Sequence, residues 1–117
     1  KSKVLYIDFW ASWCSSCAQS FPFLSSLSER LAPKEVGVLG INVDERIEDA
    51  NDFLSRHKHT FLNLFDVTKE CAESFGVVAM PTTFIVGVDK RIKAVHHGFR
   101  VGEASVLSDQ VEALVRP

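Results

Sequence analysis

One stretch decides the fold of this chain: residues 6–22, Tyr-Ile-Asp-Phe-Trp-Ala-Ser-Trp-Cys-Ser-Ser-Cys-Ala-Gln-Ser-Phe-Pro. It begins as an apolar, β-prone run and ends as a helical pattern, with the pair Cys14-x-x-Cys17 at the junction. The first sulfur therefore lies near a helix N-terminus, where free backbone N–H groups and the helix dipole stabilise a thiolate. Because the thiolate is the reactive form of cysteine, the stretch predicts a dithiol–disulfide redox site.

Two other interpretations of this cysteine pair explain less. A zinc site needs two further ligands at matching spacing, yet Cys71 stands alone and no second Cys-x-x-Cys accompanies the histidines, which are His57, His59, His96 and His97. A pair of inert core cysteines leaves the helix start and the flanking Trp10 and Trp13 unexplained. Thiol–disulfide exchange accounts for both, and we expect no metal site.

The two cysteines are expected to have different roles. Cys14, at the helix start, is the better-stabilised thiolate and should attack a substrate disulfide to form a mixed disulfide. Cys17 lies one turn further on and is less exposed. It should then attack Cys14 and release the reduced substrate. The redox group is thus the Cys14–Cys17 disulfide itself, and no other cofactor is expected.

Composition excludes several classes of function. With 117 residues, the chain is expected to form a single domain, residues 1–117, with a hydrophobic core of its own. A net charge of −2 suggests neither a nucleic-acid surface nor membrane contact by this domain, and no apolar run approaches the length of a membrane helix. Three cysteines are an odd set, unlike the disulfide framework of a small secreted scaffold.

The hydrophobic pattern predicts the element order βαβαβαββα. Strands are predicted over 4–9, 36–43, 61–65 and 92–97, with one more after Pro81. Helices are predicted over 15–31, kinked at Pro22, over 46–58 with Ile47, Ala50, Leu54 and His57 on one face, over 69–75, and at the C-terminal end with Ala104, Leu107, Val111 and Leu114 on one face. Helix-length connections imply parallel strands, and the last hairpin adds an antiparallel pair. The fold class is therefore α/β: a mixed sheet with helices on both faces.

Asp8 is the anomaly of the first strand. Burial of an unpaired carboxylate is costly and should raise its pKa. It could be a strand-end residue that reaches water or a backbone donor. We favour a functional role as proton acceptor for Cys17, directly or through water, because Asp8 and the cysteines flank one short turn.

The residues Ile7-Asp8-Phe9-Trp10-Ala11, followed by Trp13-Cys14-x-x-Cys17, resemble the signature of the thioredoxin superfamily. The resemblance to this family extends to Pro22, to the strand end Gly40–Asp44 and to the segment Phe75–Phe84. This resemblance covers nearly the whole chain and implies a thioredoxin fold. It also implies that Met80–Pro81 is a cis peptide facing the cysteines, with the Met80 backbone free to pair with an extended substrate. Trp13, Ser15 and Ser16 would complete the substrate-binding surface.

Within the superfamily, the chain is most similar to the extracytoplasmic TlpA/ResA-type oxidoreductases. Residues 45–65 add a helix and a strand as in that group, and Glu45 matches the position of an acid near the disulfide in several members. We therefore expect Glu45 to be a second acid of the site. The alternative is that Glu45 is an exposed acid at a helix start. The chain departs from the family at Ser15-Ser16, which replaces a pair that usually contains proline, and at Gly40, where thioredoxins usually have lysine.

The resemblance implies a reductase of protein disulfides, with an upstream thiol reductase as its electron donor. The protein is expected to be a monomer located outside the cytoplasm, in the periplasm, either soluble or held by an anchoring segment outside this sequence, with a cytoplasmic location left open. The competing hypothesis is a thioredoxin-fold copper chaperone that binds Cu(I) through Cys14 and Cys17. Related copper chaperones have a wider cysteine spacing and a distant histidine, which disfavours this alternative.

Overall fold

The predicted element order is confirmed by the computed structural model, which describes residues 3–115. The elements are β1 (Val4–Trp10), α1 (Ser15–Leu31), β2 (Val36–Asn42), α2 (Ile47–Arg56), β3 (Leu62–Phe65), α3 (Glu70–Phe75), β4 (Thr82–Val86), β5 (Ile92–His97) and α4 (Ala104–Val115). Short 3-10 turns follow α1 and precede α4, at Ala32–Lys34 and Val101–Glu103.

The five strands form one mixed sheet in the order β3-β2-β1-β4-β5. β1 pairs in parallel with β2, and β2 with β3, whereas β4 runs antiparallel to both β1 and β5. In the β1–β2 register, Trp10 lies opposite Asn42. Because the two strands are parallel and end side by side, the segments that follow them meet at the same edge of the sheet. This edge carries the cysteines.

α1 is amphipathic, as its sequence predicts, and buries one stripe of side chains at near-helical spacing: Cys17, Phe21, Leu24, Leu27 and Leu31. The helix runs through Pro22, whose side chain is exposed. The kink at that residue stays a prediction.

The buried face of α2 differs from the predicted one. Ala50 and Phe53 are its buried residues, whereas Ile47 is 44% exposed. Phe53 packs between Trp10 and Phe21, with ring centroids 4.8 Å and 5.0 Å away. Aromatic contacts therefore set the rotation of α2, because a buried ring removes more apolar surface from water than the aliphatic side chains at its N-terminus do.

Alternate residues of β1 enter two separate cores. Tyr6 and Trp10 pack with α1, α2 and α4, whereas Ile7 and Phe9 pack on the opposite face. Within residues 3–115, α3 is the one helix that contributes a buried residue, Ala72, to this second core. Helices flank both faces, as predicted, but with unequal coverage.

The inserted strand β3 is tied to β1 across β2. The indole Nε1 of Trp10 donates a hydrogen bond to Asn63 Oδ1 at 2.9 Å. Between them lies Gly40 of β2, where a Cβ atom would collide with the Asn63 side chain. The glycine that replaces the usual lysine of thioredoxins therefore makes room for this hydrogen bond.

Replacement of Gly40 by alanine tests this arrangement. We expect Gly40→Ala to lower the free energy of unfolding by about 1 to 3 kcal/mol, because overpacking must displace Asn63 from Trp10. The measurement is urea unfolding of the oxidised protein. Gly102→Ala is the matched control, since a Cβ there meets no atom within 4 Å, and its effect should stay within about 0.5 kcal/mol. Equal stability of the two variants would contradict the role of Gly40.

Candidate active site

The cysteine pair begins α1. Cys14 is the N-cap residue of the helix and forms a disulfide with Cys17, with the two Cα atoms 5.3 Å apart. The backbone N–H of Cys17 donates to Cys14 Sγ at 3.2 Å. The sulfur thus occupies the place of a capping oxygen, where the N-terminus of the helix favours negative charge. Cys14 is 8% exposed and Cys17 is fully buried, which agrees with the different roles expected of them.

A tight turn leads into the helix. The N–H of Cys14 donates to the carbonyl oxygen of Ala11 at 3.2 Å, so residues 11–14 form a β-turn with Ser12 and Trp13 at its centre. Trp13 is 68% exposed beside the disulfide. Of the two residues between the cysteines, Ser15 is exposed and Ser16 is half-buried. These three side chains lie where the sequence predicts a substrate surface.

The loop before β4 supplies the other side of the site. The Met80–Pro81 peptide bond is cis, as predicted from the resemblance. The carbonyl oxygen of Pro81 accepts a hydrogen bond from Gly98 N at 2.8 Å. Met80 packs against the core cluster that contains Cys14 and Cys17, and its backbone N–H and C=O form no hydrogen bond within residues 3–115. In the β1–β4 register, Thr82 lies opposite Phe9, so the loop before β4 is at the same edge of the sheet as the cysteines and has a free backbone edge at Met80.

Asp8 lies inside the sheet with almost no access to water. It is 2% exposed, and it faces the same layer as Cys17 because it alternates with Tyr6 and Trp10 along β1. Its Oδ1 accepts a hydrogen bond from Thr83 Oγ1 at 3.0 Å, and its Oδ2 has no partner within residues 3–115. Burial raises the pKa of Asp8 from 3.8 to about 7, against a smaller lowering by Thr83.

Tyr6 belongs to the same group of buried polar side chains as Asp8 and Thr83. Its pKa is raised by burial first and then by the charge of Asp8, while a hydrogen bond to Thr83 lowers it. Thr83 therefore influences both the phenol and the carboxyl group. Sequence reasoning missed Thr83, because its place opposite Asp8 follows from the β1–β4 register; the usable signal in the sequence was a hydroxyl two residues after Pro81.

Two acids follow β2, and they differ in their surroundings. Glu45, the expected second acid, is exposed in the bend before α2. Its neighbour Asp44 is 6% exposed and accepts hydrogen bonds from both Ser12 and Asn42. In the sequence, Asp44 was identifiable only as part of a strand end. The buried acid that contacts the loop before Cys14 is therefore Asp44, and the role of Glu45 stays a prediction.

Neither a metal cluster nor a membrane-spanning helix is found in the described part of the chain. Residues 3–115 contain no group of three or more His, Cys, Asp or Glu side chains placed to hold a metal ion. None of the helices in that range is both long enough and apolar enough to span a membrane.

Comparisons with known proteins agree with this geometry. A family model described as Redoxin matches residues 1–111. A solved structure from Chlorobium tepidum, assigned as the thiol:disulfide interchange protein DsbE, is 34% identical with a TM-score of 0.94, covering 97% of this chain and 80% of that one. StoA from Bacillus subtilis shares the fold at 22% identity, with a TM-score of 0.80 over 93% of this chain and 82% of its own.

A curated relative is the thiol-disulfide oxidoreductase ResA of Bacillus thuringiensis subsp. konkukian. It is 25% identical over 92 residues, which are 79% of this chain and 53% of that protein. The chain thus spans about half the length of the curated relatives it matches. The expected resemblance to the TlpA/ResA-type proteins of the thioredoxin superfamily is confirmed, and the chain belongs to the Redoxin family.

Proposed function

We propose that this protein is a thiol–disulfide oxidoreductase that works through Cys14 and Cys17. The observation that carries the proposal is the capped sulfur: Cys14 Sγ accepts the N–H of Cys17 at the start of α1, and the two cysteines form a disulfide. The names of its relatives support the same chemistry.

The first step uses the reduced protein. The Cys14 thiolate attacks one sulfur of a substrate disulfide, a Cys14–substrate disulfide forms, and the other substrate sulfur leaves as a thiolate. Cys14 is the attacking residue because it is the more exposed of the pair and its sulfur receives the N–H at the helix start.

The second step releases the substrate. Cys17 loses its proton and attacks Cys14 Sγ, the Cys14–Cys17 disulfide forms, and the second substrate sulfur leaves and is protonated. Two electrons have then passed from the protein to the substrate. Asp8 is the proposed acceptor of the Cys17 proton, directly or through a water molecule, because a carboxyl with a pKa of about 7 can take up a proton near neutral pH.

Protein disulfides are the proposed substrates. The free backbone of Met80, next to cis-Pro81, can pair with an extended segment of a partner, since backbone hydrogen bonds to an open edge are a common mode of peptide recognition. The exposed ring of Trp13 offers apolar contact area beside the disulfide. Ser15 and Ser16 complete this surface.

Reduction is the proposed direction, with an upstream thiol reductase as electron donor and a location outside the cytoplasm. These proposals are supported by the resemblance to the TlpA/ResA-type proteins. We retain Glu45 as a second acid on the same ground. The ResA and DsbE relatives are described as thiol–disulfide proteins, so they give the copper-chaperone alternative no support.

Trapping of the mixed disulfide tests the roles of the two cysteines. We expect Cys17→Ala to accumulate a covalent adduct with a disulfide-containing protein such as insulin, because the resolving thiol is missing. Cys14→Ala should accumulate none. Non-reducing gels and mass spectrometry detect the adduct. Cys71→Ala, which removes the remaining half-buried cysteine, is the control and should form no stable adduct while retaining turnover. Equal trapping by Cys14→Ala and Cys17→Ala would overturn the assignment.

Equilibration with glutathione buffers tests the proposed direction. A reductase should have a potential near that of thioredoxin, about −270 mV, rather than that of the oxidant DsbA, about −120 mV. The fraction of reduced protein, followed by alkylation of the free thiols, gives the value. A potential at the oxidising end would refute the reductase proposal and leave disulfide exchange intact.

The pH dependence of stability tests Asp8. Since its pKa in the folded protein lies above the unfolded value, the folded state binds more protons between the two, and stability is lost as pH rises through about 7. From about pH 5 to pH 8, the free energy of unfolding of the oxidised protein should fall by about 2 to 3 kcal/mol more in the wild type than in Asp8→Asn. Urea unfolding at both pH values measures it. Parallel pH profiles would show that Asp8 does not titrate in this range.

A further inference from the structure

The Asp44 carboxylate accepts hydrogen bonds from the redox loop, which is the β-turn of residues 11–14 that leads to Cys14. Its Oδ2 accepts from Ser12 N at 2.9 Å, and its Oδ1 accepts from Ser12 Oγ at 2.8 Å. Asn42 Nδ2 donates to Oδ2 at 2.7 Å. Hydrogen bonds to an ionised acceptor are stronger than those between neutral groups, and a buried carboxylate without them would be costly. Both oxygens are therefore held in place.

The backbone around Asp44 is itself firmly held. Its N–H donates to Asn42 Oδ1 at 2.9 Å, and its carbonyl oxygen accepts from Lys69 Nζ at 3.0 Å. The preceding residue, Val43, donates its N–H to the carbonyl oxygen of Trp10 at 2.9 Å. These contacts join the segment after β2 to the end of β1 and to the start of α3. Asp44 can therefore act as a fixed anchor.

The anchored residue occupies a sensitive position. Ser12 is the second residue of the β-turn that the Cys14 N–H closes onto Ala11. A turn of four residues has few free torsions, so a displacement of Ser12 moves Cys14 relative to the first turn of α1. That displacement would lengthen the hydrogen bond from Cys17 N to Cys14 Sγ.

We propose that Asp44 is a positioning residue of the exchange reaction: through Ser12, its carboxylate holds Cys14 Sγ against the Cys17 N–H and so stabilises the attacking thiolate. The proposal rests on the proposed function only in taking Cys14 as the attacking residue. Asp44 acts through Ser12 and need not contact the substrate.

Loss of the Asp44 charge and loss of the Asp44 anchor should shift the pKa of the Cys14 thiol in opposite directions, and this difference makes the proposal testable. A negative charge near a thiolate disfavours it, so removal of the Asp44 charge alone would lower the pKa of the Cys14 thiol. Loss of the anchor would raise that pKa, because the capping hydrogen bond weakens. Ser12→Ala leaves the charge in place and removes the 2.8 Å hydrogen bond. Its effect therefore reports position.

The experiment is a double-mutant cycle of Ser12→Ala and Asp44→Ala, made in a protein that carries Cys17→Ala and Cys71→Ala so that Cys14 is the single thiol. The readout is the rate of iodoacetamide alkylation against pH. On the acid limb of the profile, Ser12→Ala should slow alkylation about threefold, equivalent to a rise of about half a pKa unit. In the Asp44→Ala background the Ser12 hydroxyl has no carboxylate to contact, so the same change should have an effect below about 1.5-fold. The effect of the Asp44 charge on the thiol cancels in the cycle.

Ser25→Ala is the matched control. Ser25 lies in α1, away from the redox loop, and its Oγ accepts a hydrogen bond from Thr60 N at 3.2 Å. If the proposal holds, this variant leaves the alkylation rate unchanged, even where urea unfolding shows that it costs as much stability as Ser12→Ala. The proposal is overturned if Ser12→Ala leaves the acid limb unchanged, or if it slows alkylation equally in both Asp44 backgrounds. Alkylation needs Cys14 alone, so this result is independent of whether the protein reduces disulfides.

Discussion

Parallel pairing of β1 with β2 is the constraint on which the site depends. It places Trp10 opposite Asn42 and ends both strands at one edge of the sheet. The turn that delivers Cys14 to the start of α1 then lies beside the segment that carries Asp44. With a different register, Ser12 would lose both of its hydrogen bonds to that carboxylate. The reactive sulfur owes its position to a strand pairing rather than to the Cys-x-x-Cys spacing alone.

Asp8 shows where the fold accepts a cost in stability. Within residues 3–115, α1, α2 and α4 pack on its side of the sheet and exclude water from its carboxyl group, and Thr83 is the one residue that gives it a hydrogen bond. An apolar residue would stabilise this position at neutral pH, since ionisation of a buried acid is unfavourable. Violations of a local rule of this kind concentrate at functional sites. In the proposed second step, the pKa of about 7 would allow this group to take up the proton that Cys17 loses.

Features of this protein that depend on neighbouring residues could be predicted from the sequence, whereas features that depend on contacts between distant segments could not. Cys14 at a helix start was predictable because the pattern changes from strand to helix within a few residues. The cis bond before Pro81 was predictable only through the family resemblance, since a loop proline has other ordinary explanations. The contacts of Asp44 and Asn63 depend on strand register and on side-chain rotation, which no local pattern contains. The predicted face of α2 was wrong at Ile47 and missed Phe53, because long-range aromatic packing of Phe53 outweighed local periodicity.

The two sides of the disulfide are built differently, and this asymmetry indicates how a partner approaches. On the β2 side, Asn63 holds Trp10 and Asp44 holds Ser12, so the strand end and the turn are fixed by hydrogen bonds from neighbouring segments. On the β4 side, the Met80 backbone has no partner within residues 3–115. A substrate segment that pairs there gains backbone hydrogen bonds without breaking existing ones. Under the proposed function, the rigid side would therefore fix the attacking sulfur, and the open side would receive the substrate disulfide.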